Sequence, residues 1–194
     1  MNPGKAAVFL DRDGVINNHG GYVNSAADFV LLPGVAEAIR RLNHAQMPVI
    51  VVTNQGGVAF GHLSAAELTE IHDKMERELA REGARVDAIY ACPYHPRGTV
   101  AGLDRESRCR KPQPGMLEQA SHAHGIDLLR SYMVGDMTVD IAAGREAGCT
   151  TLLVQTGIAG SDDKMDVTPD ATVADLPAAV DWILDQATAH QATE

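Results

Sequence analysis

Short apolar runs alternate with stretches of helical periodicity along the whole chain. The runs fall at residues 6 to 10, 48 to 52, 86 to 91, 131 to 134 and 150 to 154, each the length of a strand buried on both faces. Between them apolar residues recur at spacings of three and four. The clearest case opens at Ser64, where Glu67 completes a capping-box pair and Leu68, Ile71, Met75 and Leu79 mark one buried face. Further helices are predicted over residues 35 to 45 after Pro33-Gly34, from near Pro114 to Gly125, from about 138 to Gly148, and after Asp175-Leu176-Pro177, where the only tryptophan, Trp182, lies. Strands alternating with helices predict an α/β fold, a doubly wound, mostly parallel sheet with helices on both faces.

Two stretches break the alternation, residues 14 to 32 and residues 92 to 113, the second dense in Pro, Gly, Arg and Cys. Loops of that length without secondary structure are functional or mobile as a rule. Each begins just after a strand, which predicts that both overhang the same edge of the sheet. The 194 residues suffice for one sizeable core, so residues 1–194 read as a single domain with 92–113 as an inserted loop.

Composition narrows the function classes. A net charge of -10 argues against a nucleic-acid surface, which needs clustered Lys and Arg, but leaves room for a small anionic substrate neutralised locally. No apolar stretch approaches a membrane span, and the N-terminus lacks the pattern of a signal peptide. With only Cys92, Cys109 and Cys149, a reducing compartment fits better than a disulfide framework, and a cytoplasmic protein is expected.

Four segments carry candidate chemistry. Asp11-Arg12-Asp13-Gly14 leaves the first strand with two carboxylates at i and i+2. Such a pair can divide phosphoryl transfer between a nucleophile and an acid/base, with a divalent cation offsetting their repulsion. Thr53-Asn54-Gln55-Gly56-Gly57 follows the second strand and offers a hydroxyl and backbone N–H groups to phosphate oxygens. Arg110-Lys111-Pro112 supplies a point charge and a guanidinium fork ahead of a helix. Val134-Gly135-Asp136 leaves another strand, with Asp140 one helical turn on, and Asp11 with Asp136 would suffice for magnesium, which keeps several waters and substrate oxygens. Each segment alone also reads as a turn, a cap or a solvated charge.

All four in this order resemble the haloacid-dehalogenase superfamily of phosphohydrolases. The motifs DRDGVIN, HGGYV, TNQGG, CRKPQPGM and VGDM are similar to its D-glycero-D-manno-heptose 1,7-bisphosphate 7-phosphatase family, whose near relatives are histidinol-phosphate phosphatases. The resemblance implies Asp11 as nucleophile, Asp13 as acid/base, and Thr53 and Lys111 as holders of the phosphoryl oxygens. It implies Mg2+ between the Asp11 side chain, the Asp13 carbonyl and Asp136, with Asp140 orienting the site. Substrate contacts would come from Arg110, Asn54, Gln55 and the loop His19, Gly20, Gly21 and Tyr22. A small phosphorylated sugar is the implied substrate of a capless monomer whose loops shape the pocket, since neither the segment after Asp13 nor that after Thr53 has room for an extra domain.

One departure from the family matters. Its zinc loop uses Cys-x-His and Cys-x-Cys, and the matching positions here are Cys92, Tyr94, Ser107 and Cys109. Two ligands are missing, so a zinc-free and mobile loop is expected, with His95 able to help only if the loop shifts. The resemblance brings Cys92 and Cys109 to one place, where they can oxidise in air. Of the other histidines, His44, His62, His72, His122, His124 and His190 read as surface residues, and Cys149 reads as core. A phospho-receiver signalling domain is the alternative of another class; it would carry its acceptor acid on a middle strand of the sequence and would not need the two long loops.

Overall fold

The computed structural model describes residues 4–18, 23–162 and 164–191. Six parallel strands form the sheet: β1 (Val8–Leu10), β2 (Val49–Asn54), β3 (Ala88–Cys92), β4 (Tyr132–Gly135), β5 (Thr150–Val154) and β6 (Ala171–Val173), in the order β3-β2-β1-β4-β5-β6. The three-residue β6 was not foreseen, because Ala171-Thr172-Val173 is too short and too exposed to stand out as an apolar run. The helices are α1 (Val35–His44), α2 (Ala65–Arg81), α3 (Gly115–His124), α4 (Thr138–Ala147) and α5 (Leu176–Gln191).

Side chains alternate across the strands and so divide the core in two. Val8, Leu10, Val49 and Val51 face one side with Ile39 of α1, Ile71 and Met75 of α2, and Ile183 of α5. Ala7, Phe9, Ile50 and Val52 face the other with Met116 and Leu117 of α3 and Ala143 of α4. Helices therefore cover both faces, and each large aliphatic side chain so buried contributes about 1.5–3 kcal/mol. The α2 cap forms as its sequence predicts: Glu67 N–H donates to Ser64 Oγ at 3.2 Å and Ser64 N–H to Glu67 Oε2 at 2.7 Å.

The strand order reverses direction between β1 and β4, opening a crevice at their C-terminal ends, where ligands bind in such sheets. Leu10 pairs with Val134, and Asp11 N–H continues the ladder to Val134 O at 3.0 Å, which sets Asp11 and Asp136 beside each other at that crevice.

Both long loops are folded down. In the first, Val15, Ile16 and Phe29 are fully buried, a short 3₁₀ turn spans Ala26–Asp28, and Lys74 of α2 donates to the carbonyls of Ala26 and Phe29. In the second, Cys92 and Cys109 form a disulfide, and Thr99 and Val100 N–H groups both donate to Ala59 O. Bonds of this number tie the loop to its surroundings, against the expectation of a mobile segment. No helix among the described residues is long and apolar enough to cross a membrane.

Candidate active site

Lys111 is the centre of the site. Its ammonium lies 2.8 Å from Asp11 Oδ1 and 2.7 Å from Asp140 Oδ1, and it donates to Val52 O at 2.7 Å. All three side chains are nearly inaccessible, with Lys111 and Asp140 at 1% exposure and Asp11 at 9%. Burial alone would favour neutral lysine, yet the two carboxylates outweigh it and raise its pKa, so the ammonium is a fixed charge. Asn54 places it. The Asn54 amide takes Lys111 N–H on Oδ1 and gives Nδ2–H to Lys111 O, both at 3.0 Å, so the residue read from sequence as a substrate contact instead uses both ends of its amide on the lysine backbone.

Both oxygens of Asp140 are engaged within the protein. Its Oδ1 meets Lys111 while its Oδ2 accepts Met137 N–H at 3.1 Å, capping α4. Asp11, Asp136 and Asp140 each place an oxygen within 4.8 Å of the others, a group able to surround a cation, and Asp136 alone of the three has a buried oxygen with no hydrogen bond.

Asp136 is held from the far side by a segment that the sequence reading passed over. Ile158 N–H donates to Asp136 Oδ2 at 2.7 Å, Gly160 N–H to Asp136 O at 2.7 Å, and Thr156 Oγ1–H to Gly14 O at 2.6 Å. Gly14 and Gly157 both have positive φ, and a Cβ on either would collide with Asp136 Oδ2, so no larger residue fits against this carboxylate. Asp136 Oδ1 is buried with no hydrogen-bond partner. An orphaned carboxylate oxygen beside a second carboxylate fits a divalent cation. Burial, reinforced by its neighbouring carboxylates, pushes Asp136 up to about 8, and Asp11 rises to about 6 chiefly from burial, with Lys111 opposing.

Asp13 sits in a different environment. Its oxygens accept from Arg12 Nε and Nη2, from Asn17 Nδ2 at 3.0 Å and from Gln55 Nε2 at 2.9 Å. Burial would raise its pKa, but Arg12 and these hydrogen bonds win and hold it below the ordinary value. Gln55 Nε2 also donates to Thr53 Oγ1 at 2.8 Å, linking Asp13 to the threonine at the tip of β2.

Asp11, Asp13, Thr53, Lys111 and Asp136 thus converge on one crevice. Arg110 is half-buried at its rim, donating from Nη1 to Tyr94 O at 3.2 Å. His19, Gly20, Gly21 and Tyr22 lie outside the described residues. His72, read as a surface residue, is mostly buried and 3.3 Å from Arg12 Nη1; it stands four residues after Leu68 and three before Met75, on the flank of the apolar stripe, and that position was the available signal. The segment at 156–160 could have been found because it follows β5 at the same sheet edge.

At the positions of the family's zinc ligands the structure has a disulfide. Cys92 and Cys109 are joined with a Cα–Cα distance of 5.5 Å, Ser107 Oγ lies 3.1 Å from Cys109 Sγ, and Tyr94 packs under Arg105. His95 instead leans on Phe60, ring centroids 4.8 Å apart.

Comparison with known proteins agrees with this geometry. The family model described as "HAD-hyrolase-like" matches residues 108–179, which hold Lys111, Asp136 and the segment closing over it. D-glycero-D-manno-heptose-1,7-bisphosphate 7-phosphatase of Thermosynechococcus vestitus is 43% identical over 92% of this chain and 95% of that protein. The corresponding β-anomer phosphatase of Escherichia coli is 40% identical over 92% of this chain and 87% of its own length. Among solved structures, the D,D-heptose 1,7-bisphosphate phosphatase of B. bronchiseptica, complexed with magnesium and phosphate, superposes with a TM-score of 0.83 at 38% identity, covering 93% of this chain and 99% of that one. Likeness of this extent, in sequence as in fold, means that the chain belongs to the D-glycero-D-manno-heptose-1,7-bisphosphate 7-phosphatase family of haloacid-dehalogenase-like hydrolases.

Proposed function

We propose that the protein is a phosphatase that removes the 7-phosphate of D-glycero-D-manno-heptose 1,7-bisphosphate, with magnesium as its cofactor. The observation that carries this reading is the buried Asp136 Oδ1 left without a partner beside the Lys111-clamped Asp11. Asp11, Asp136 and the Asp13 carbonyl would hold the cation, which neutralises phosphate charge during attack.

Two anions must meet for the first step. At contact distance their repulsion is on the order of 4 kcal/mol at an effective dielectric near 20, and Lys111 supplies part of the compensation from within the protein. The free oxygen of Asp11 forms a bond to phosphorus as the bond to the C7 oxygen breaks. Asp13 rests ionised under Arg12 and its hydrogen bonds, so it takes up a proton in the substrate complex, where the added phosphate charge favours its neutral form, and passes that proton to the departing oxygen. Thr53 Oγ–H binds a phosphoryl oxygen that carries the charge, and the Lys111 ammonium, whose three donors are held by Asp11, Asp140 and Val52 in the free protein, exchanges one of them for another. Water then attacks the aspartyl-phosphate, Asp13 takes the proton of that water, and inorganic phosphate leaves with Asp11 restored.

Arg110 at the rim suits the anionic group that stays on the sugar, and Gln55 keeps Asp13 and Thr53 in register. The whole chain is proposed to act as one capless domain, as a cytoplasmic monomer on a small sugar phosphate. The test is a substrate panel with magnesium: heptose bisphosphate should release one equivalent of phosphate much faster than histidinol phosphate does, and a chelator should abolish the reaction. A preference for histidinol phosphate would overturn the substrate assignment, and chelator-resistant turnover the metal.

A further inference from the structure

Arg12 is the largest fully buried side chain among the described residues, at 0% exposure, yet it carries a charge. It lies between the tip of β1 and helix α2. Two of its nitrogens grip Asp13: Nε reaches Oδ1 at 3.2 Å, and Nη2 reaches Oδ1 at 3.0 Å and Oδ2 at 2.9 Å. Of the five hydrogen bonds that hold the Asp13 carboxylate, three come from Arg12. The remaining nitrogen, Nη1, points to His72 Nε2 at 3.3 Å.

A guanidinium can only donate, so His72 Nε2 must accept and the ring must carry its proton on Nδ1. That requires a neutral imidazole. Burial and the facing Arg12 charge, against weaker pulls from Asp13 and Asp73, bring His72 down to about 4, which keeps it neutral at pH 7.

We infer that His72 is a positioning residue for the acid/base step, fixing the Arg12 fork and through it the orientation of the Asp13 carboxylate. Nothing else in the mechanism above uses either side chain. His72 would not touch substrate, and its helix packs against the loop of residues 14 to 32 through Lys74. With His72 unable to accept, the Arg12 fork can turn toward another acceptor, and Asp13 loses the direction from which it meets the leaving oxygen. The loss must then depend on how much the leaving group needs a proton.

This inference rests on the phosphatase reading, and the experiment separates the two. His72→Gln places an amide oxygen where Nε2 stands, whereas His72→Asn is chemically alike but too short to reach Arg12. For each, kcat/KM is measured with magnesium on heptose bisphosphate, whose alkoxide must be protonated, and on p-nitrophenyl phosphate, whose phenolate departs unaided; kcat/KM covers the steps through leaving-group departure. His72→Asn should lose roughly tenfold more on the sugar phosphate than on the aryl phosphate, a part of what full general acid catalysis supplies. His72→Gln should stay within roughly twofold of wild type on both, as expected when the lost hydrogen bond is restored. His72→Leu, assayed in parallel with thermal midpoints of all variants, should follow the Asn variant. Equal losses on the two esters, no loss, or a Gln variant as impaired as Asn would overturn the inference while the wild type remains active. A wild type that hydrolyses neither ester with magnesium would overturn the phosphatase reading, and this inference with it.

Discussion

Replacing Lys111 by methionine keeps most of the unbranched side chain and removes the ammonium with its charge. Three bonds disappear at once, to Asp11 Oδ1, Asp140 Oδ1 and Val52 O. Two carboxylates that are almost wholly out of water then face each other without a cation. Breaking a buried pair by deleting one partner costs about 3–5 kcal/mol, and the orphaned Val52 carbonyl adds to it, whereas a solvated lysine would cost well under 1 kcal/mol. A typical domain has about 5–15 kcal/mol in total, so the loss should be plain. Urea unfolding in chelator at pH 7.5 should show Lys111→Met less stable by about 3–5 kcal/mol. Magnesium should restore part of this, because it brings positive charge to the same oxygens. The cost should also shrink toward pH 5: without the ammonium, Asp11 titrates above its wild-type value of about 6, and its protonation relieves the buried repulsion. A cost below about 1 kcal/mol in chelator would refute the idea that this ammonium compensates buried charge. The same variant should have almost no phosphatase turnover.

Three further outcomes follow from the same geometry. Asp11 and Asp136 are raised above their unfolded values, to about 6 and about 8, so their contribution to metal-free stability is full below about pH 4 and lost as pH rises through the folded values. Magnesium should therefore raise the thermal midpoint more at pH 8 than at pH 5.5, where it must displace protons; the reverse order would contradict the assignment. Gly157→Ala drives a methyl group into Asp136 Oδ2 and should weaken magnesium activation by about tenfold or more, read from the magnesium dependence of turnover. Reducing the Cys92–Cys109 bond, which spans 17 residues, should lower stability by about 3 kcal/mol in the chain-entropy view, while metal analysis of the unreduced protein should find no stoichiometric zinc.

The parallel sheet was legible because each buried strand is a compact apolar run, and α2 because its capping pair and apolar stripe coincide. The edge strand β6 was not, since three half-exposed residues carry no period. In the site, Asp11, Asp136 and Lys111 announce themselves as charges at the ends of apolar runs, which only chemistry justifies. Asn54 and Gln55 did not reveal their bonds: an amide beside a phosphate-binding threonine looks the same whether it meets substrate or protein, and only the structure puts Asn54 at 3.0 Å from the Lys111 backbone and Gln55 Nε2 at 2.9 Å from Asp13. Arg12 and His72 were hidden by the opposite bias, since a charged residue in a loop and a histidine on a polar helix read as solvated until a fold buries them together.

Residues 156–160 close the crevice over Asp136 although they enter the chain almost 150 residues after Asp11. A chain that stops short of this stretch should lack the bonds that hold Asp136, however completely its earlier strands and helices have formed. Turnover should accordingly report that the chain beyond β5 has assembled over Asp136, which a helical signal does not.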